Sequence, residues 1–228
     1  MMFSLTTSYF FCIINFISKK YLFLEVIFIK KVLDVLGISD IAANFKNVRT
    51  ITLTAVLIAL TIIGDRMLLI PLSPALEIRF GFLFLATIAF LFGPAVAFAA
   101  GFLANMIGFL LFAGGSFNPL FDLNIGLSGI LYALFLYKKN PKSEYFIIWI
   151  VAAKVAVNFI CHIIINTRLL ILVKFIPDNG AAIITITRIF KNVALLPIEI
   201  ILMLFVLKFV SVYAYKFNFI KPTKFKST

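Results

Sequence analysis

The sequence predicts an all-α membrane protein, a compact bundle of six transmembrane helices with both ends of the core on the cytoplasmic side. Three observations carry that expectation. Apolar residues make up 63% of the 228 residues and charged residues 13%, with a mean hydropathy of +1.14. A soluble domain is about half apolar and about a quarter charged, so the excess here is too large to hide in a water-covered core. The apolar residues also fall into runs near the length that crosses a bilayer, about 20 residues. Finally, most Lys and Arg residues lie in the breaks between those runs, where they report topology.

The runs are expected in order. The first spans Thr50 to Leu69 and ends at the break Pro71-Leu72-Ser73-Pro74. The second, Phe80 to Phe92, stops at Gly93-Pro94, a tight turn into the third, Ala95 to Phe112. A loop from Ala113 to Asp122 precedes the fourth, Leu123 to Tyr137. The fifth runs from Tyr145 to Leu172 and the sixth from Ala181 to about Val212, joined by Lys174 to Gly180. The second and fourth runs are short for a full crossing. Lys46, Arg49, Lys138, Lys139, Lys142, Lys216, Lys221, Lys224 and Lys226 gather on one side, which should be cytoplasmic.

Three parts are expected: an apolar and basic extension over 1–45, the six-helix domain over 46–215, and a basic cytoplasmic tail over 216–228. Two readings of the extension stand side by side, an interfacial segment and a start assigned too far upstream. The net charge of +12 is spread between apolar runs rather than gathered in one patch, which argues against nucleic acid. Cys12 and Cys161 have no metal spacing. No phosphate-binding Gly-rich loop ending in Gly-Lys-Ser/Thr occurs, nor any hydrolase motif. The chain reads as a binder rather than an enzyme, without cofactor or metal, and with membrane lipid around it.

The informative residues are polar ones inside apolar runs. In the fifth run Lys154, Asn158, His162 and Asn166 recur at every fourth position and share a helix face. In the sixth, Arg188, Lys191 and Asn192 share another. Asn105 lies mid-way along the third. A charge at mid-bilayer costs about 2.5–3.5 kcal/mol on insertion scales, so these groups should face a cavity. Apart from Glu199, no acid inside the spans is expected to balance them, which suggests that a ligand supplies the anion. The fifth helix should run outward and the sixth inward, with Arg188 about 10 Å below its outer end. The two faces would then meet in one pocket open to the outside. Interhelical hydrogen bonds that only hold the bundle are the competing reading. Arg66 and Arg79 flank the first outer loop, either snorkelling or holding an acidic ligand. Small residues line the first run (Ala55, Ala59), the third (Ala97, Gly101, Gly108) and the fourth (Gly126, Gly129, Ala133), for internal packing or for a partner helix.

Several segments resemble the folate-family substrate-binding S components of energy-coupling factor (ECF) transporters. The first run, with its Ala-x-x-x-Ala, resembles that family's first helix. Ile78-Arg79-Phe80-Gly81-Phe82, Leu91-Phe92-Gly93-Pro94, Asn166-Thr167, and Arg188-Ile189-Phe190-Lys191-Asn192 through Leu196-Pro197-Ile198-Glu199 resemble further segments. The likeness covers about Lys46 to Tyr215. Departures are Asn118-Pro119-Leu120-Phe121-Asp122 where the family has Phe-Pro-Gly-Phe-Thr, Asn105 where Asp is expected, and Arg168 where an apolar residue is usual.

The resemblance implies a multi-pass cell-membrane subunit that binds folate or a related anionic vitamin. Its implied partners are a transmembrane coupling protein and two ATPase subunits, with Ala55 and Ala59 as the docking face. The implied substrate residues are Arg66, Arg79, Asn105, Asn158, His162, Asn166, Thr167, Arg188, Lys191 and Asn192. Another anionic vitamin such as pantothenate, and a membrane scaffold with no transport role, remain open at this point.

Overall fold

A computed structural model describes residues 47–73, 76–112, 117–141, 143–173 and 181–216. The extension over 1–45, the loop 174–180 and most of the basic tail lie outside the described residues. Helix α1 is Val48–Arg66, opened by Asn47, whose side chain accepts from the Arg49 N–H. It ends three residues earlier than expected. The Pro71 region is not a simple break but an antiparallel hairpin, β1 (Leu69–Ser73) and β2 (Leu76–Arg79), with Ile70 opposite Ile78. A two-stranded ribbon has only edge strands, so Pro71 is tolerated there. The hairpin is tied down where the Phe80 N–H donates to the Gly64 carbonyl at 3.0 Å.

Helix α2 is Gly81–Phe92 and α3 is Pro94–Leu111. Gly93 joins them at φ 84°, a left-handed conformation that suits glycine, and Pro94 occupies the first turn of α3. Helix α4, Pro119–Leu136, begins four residues before the expected start, because Asn118 caps it by accepting from the Leu120 N–H. Asp122 is therefore a buried helical residue, 1% exposed, and not part of a loop.

Helix α5 covers Phe146–Leu172 and carries a π-helical segment at Asn158–Ile165. Helix α6 is Ala181–Lys216, with Pro197 inside it. Five of the helices, α1, α3, α4, α5 and α6, are long and apolar enough to cross a membrane, whereas α2 is a shorter apolar helix of 12 residues. Thr52, Thr61 and Thr87 return their hydroxyls to carbonyls four residues back, so none is left unbonded in an apolar setting.

Part of the small-residue pattern is internal packing. A Cβ on Gly129 would lie 2.5 Å from the Ala97 carbonyl oxygen, and one on Gly101 would lie 2.8 Å from that of Ile125. Helices α3 and α4 thus touch backbone to backbone. Gly108 instead faces Ile62 and Arg66 of α1. Ala55 and Ala59 are exposed. Gly129→Ala is expected to force α3 and α4 apart and destabilise the protein by about 1–3 kcal/mol. A thermal melt of the purified variant checks this, and an unchanged midpoint would contradict it.

Candidate functional site

Helices α1, α2, α3, α4, α5 and α6 enclose a cavity of about 550 Å³, within the range that takes small-molecule ligands. It is open towards Arg79 and Thr187, both exposed, and closed by Tyr132 and Lys154, each 1% exposed. Arg188 and Glu199 both line it from α6. They lie eleven positions apart, so their backbones are separated by about 16 Å along the helix at 1.5 Å per residue.

Eight of the ten expected substrate residues line this space: Arg66, Arg79, Asn105, His162, Asn166, Arg188, Lys191 and Asn192. Two do not. Asn158 is buried beneath the wall, where its Nδ2 donates to Glu199 Oε2 at 3.3 Å. Thr167 is 6% exposed, does not line the cavity, and has no hydrogen-bond partner on its hydroxyl among the described residues.

The π segment keeps the other three polar residues of α5 on the wall. In an α-helix each fourth residue falls about 40° past its predecessor, or about 120° over the twelve residues from Lys154 to Asn166. A regular helix could not keep both on one wall. The wider turns of Asn158–Ile165 take up the drift, so Lys154, His162 and Asn166 all reach the cavity.

The charge balance corrects the expectation of unbalanced cations. Lys154 is not free for a ligand: its Nζ lies 3.2 Å from Glu199 Oε2. It also lies 3.5 Å from the Tyr132 hydroxyl and 3.5 Å from the centre of the Phe82 ring. Asp65, inside α1, contributes a second carboxylate to the wall and accepts from the Gly81 N–H at the start of α2. A carboxylate is favourable there because a helix N-terminus carries partial positive charge. Even so, among the described residues that line the cavity, five cationic side chains (Arg66, Arg79, Lys154, Arg188, Lys191) stand beside two carboxylates (Asp65, Glu199), a formal excess of three positive charges. Arg188 has no carboxylate partner among the described residues.

Two departures from the family pattern meet in space. Asn105 Nδ2 donates to Asp122 Oδ1 at 2.7 Å. The acid sits on α4 and the amide on α3, the reverse of what an Asp at position 105 would give. Sequence reasoning missed Asp65, Phe82, Tyr132, Ser128 and Glu199 as wall residues. For Glu199 a signal existed: it is the one acid within the sixth apolar run.

A mostly helical fold with, among the described residues, five membrane-length helices around a polar, cation-rich cavity defines a multi-pass membrane protein. Comparison with known proteins places it further. Residues 44–211 match the family described as ECF-type riboflavin transporter, S component. The chain belongs to that family, one of transport subunits rather than enzymes. It is 27% identical over 156 residues to the folate transporter FolT of Clostridium novyi (strain NT), covering 68% of this chain and 86% of that protein. It also resembles the crystal structure of FolT bound with folic acid, with a TM-score of 0.60 and 29% identity over 69% of this chain and 91% of that one.

Proposed function

We propose that this S component binds folate with high affinity from outside the cell and hands it to an ECF module for import. The observation that carries the reading is the formal excess of three positive charges among the described residues that line a cavity of about 550 Å³. Folate has a flat heterocyclic head and a glutamate tail with two carboxylates, so the tail supplies the missing anions. Arg66, Arg79, Arg188 and Lys191 would hold it, with forked guanidinium–carboxylate bonds setting its direction. Asn105, His162, Asn166 and Asn192 would supply neutral polar contacts. Asn158 and Thr167 would act from behind the wall. Riboflavin, the vitamin in the family's description, carries no carboxylate to offer Arg188, which has no carboxylate partner among the described residues. The FolT relatives support folate instead.

In this reading α2 completes a six-helix bundle whose ends both lie in the cytoplasm. A coupling protein bearing two ATPase subunits would dock on the exposed Ala55 and Ala59 face of α1. The test is mass spectrometry of the small molecule that co-purifies with the full chain, followed by calorimetry. Folate is expected to be found and to bind in the nanomolar range. Another vitamin in its place, with no folate binding, would overturn the reading. Ala59→Trp is expected to keep folate affinity and lose co-purification with the ECF module. Retained co-purification would remove the docking assignment.

A further inference from the structure

The wall contributed by α5 depends on its π turns. Such turns are rare within α-helices, and breaks in the regular ladder have local causes, an inserted side chain among them. Here a side chain of α4 reaches one of the carbonyls concerned. The Cys161 carbonyl accepts from the Asn166 N–H, five residues on, at the end of the π segment. It also accepts from Asn124 Nδ2 of α4, at 3.2 Å. A carbonyl oxygen has two lone pairs, and the two donors take one each. Asn124 is 4% exposed and does not line the cavity. Its Oδ1 has no hydrogen-bond partner among the described residues, so the bond to Cys161 is what offsets the burial of this amide. An amide that only tied two helices together could do so at any carbonyl along the seam. This one meets a carbonyl for which two ladders compete, the α ladder through the Ile165 N–H and the π ladder through the Asn166 N–H.

We infer that Asn124 is a positioning residue for the ligand site: by holding the Cys161 carbonyl it keeps the π ladder in place, and so sets which side chains of α5 reach the cavity. It acts through α5 and does not touch the ligand. The inference rests on the cavity being the ligand site and, for one arm of its test, on the folate reading. With an α ladder throughout, His162 would lie about 80° around the helix from Lys154, and Asn166 about 120°. Ile165, eleven residues after Lys154, would lie within about 20° of it. An apolar side chain would then replace an amide on the wall. In the structure the opposite holds, since His162 and Asn166 line the cavity and Ile165 does not.

The experiment uses the full chain purified in nanodiscs, and its first arm needs no ligand. In a Cys12→Ser/Cys161→Ala background, which leaves the main-chain carbonyl at 161 in place, Asn166→Cys and Ile165→Cys are each exposed to a membrane-impermeant thiosulfonate reagent. With Asn124 present, Asn166→Cys is expected to react at least about tenfold faster, because thiol reactivity follows exposure to water. When Asn124→Leu or Asn124→Ala is added, the order should reverse. An unchanged order in both variants would overturn the proposal. The second arm measures folate binding by calorimetry. Asn124→Leu is expected to weaken it about 10- to 100-fold, the loss of one or two hydrogen bonds from α5. Phe159 is 58% exposed and bears no part of the site. Deleting it from the Asn124→Leu variant shortens the stretch by the residue that the π turns absorb. A fifth helix that is α throughout would then bring His162 and Asn166 each to within about 20° of Lys154, and most of the lost affinity should return. A merely structural role for Asn124 predicts that the deletion adds to the damage, and that result would overturn the proposal. Failure of the unmodified chain to bind folate would overturn the folate reading alone, and the labelling arm would still decide the role of Asn124.

Discussion

Arg188→Ala is expected to weaken folate binding by about a hundredfold or more while leaving the empty protein at least as stable as before. The guanidinium lines the cavity, is partly buried, and has no carboxylate partner among the described residues. Each hydrogen bond between charged groups contributes about 1.5–3 kcal/mol, and a forked arginine–carboxylate pair makes two of them. The same group offers the empty protein little, because a partly dehydrated cation without a counter-charge is a cost to be offset by the ligand. Affinity and stability should therefore move in different directions. Arg188→Lys keeps the charge and loses the fork, so its affinity should fall between the two. Calorimetry with the purified full chain, read beside a ligand-free thermal melt, checks both halves. Native affinity in the alanine variant would show that the tail is held elsewhere.

Glu199→Ala should do the opposite and strike at the fold first. Lys154 is 1% exposed and Glu199 is its carboxylate partner among the described residues. Removing one end of a buried pair strands the other charge, which typically costs about 3–5 kcal/mol. For a chain of this size a loss of about 3 kcal/mol corresponds to a melting point lower by on the order of 10 °C. Removing both ends should be far milder, so Lys154→Met/Glu199→Gln is expected to recover most of that loss. A single alanine variant as stable as its parent would mean that water reaches Lys154 and that the pair is not a dry one.

The parts of the site that could be read from sequence are those set by local spacing. Arg188, Lys191 and Asn192 lie on a regular α-helix, so positions i, i+3 and i+4 predict a shared face, and all three line the cavity. The turn at Gly93-Pro94 was legible because each residue has one strong backbone preference. The misses have a common cause, which is that their partners are remote along the chain. Lys154 and Glu199 are joined across two helices, and no spacing rule links positions so far apart. Asn105 and Asp122 each looked like an isolated departure until α3 and α4 brought them to 2.7 Å. The hairpin at Leu69–Arg79 was hidden by Pro71, which argues against a strand except where both strands are edges. Asn158 was misplaced because its amide is engaged by Glu199 of α6, a partner remote along the chain.

The change of ladder within α5 has a consequence for reading relatives of this chain. Over Asn158–Ile165 the backbone bonds to the fifth residue along instead of the fourth, so this stretch accommodates roughly one residue more than an α-helix of equal height. Aligned without a gap against a fifth helix that is α throughout, every position after the stretch would be matched about 100° out of phase. Asn166 would then be equated with a neighbour that points elsewhere. Chain length within these eight positions, as much as side-chain identity, decides which groups line that wall.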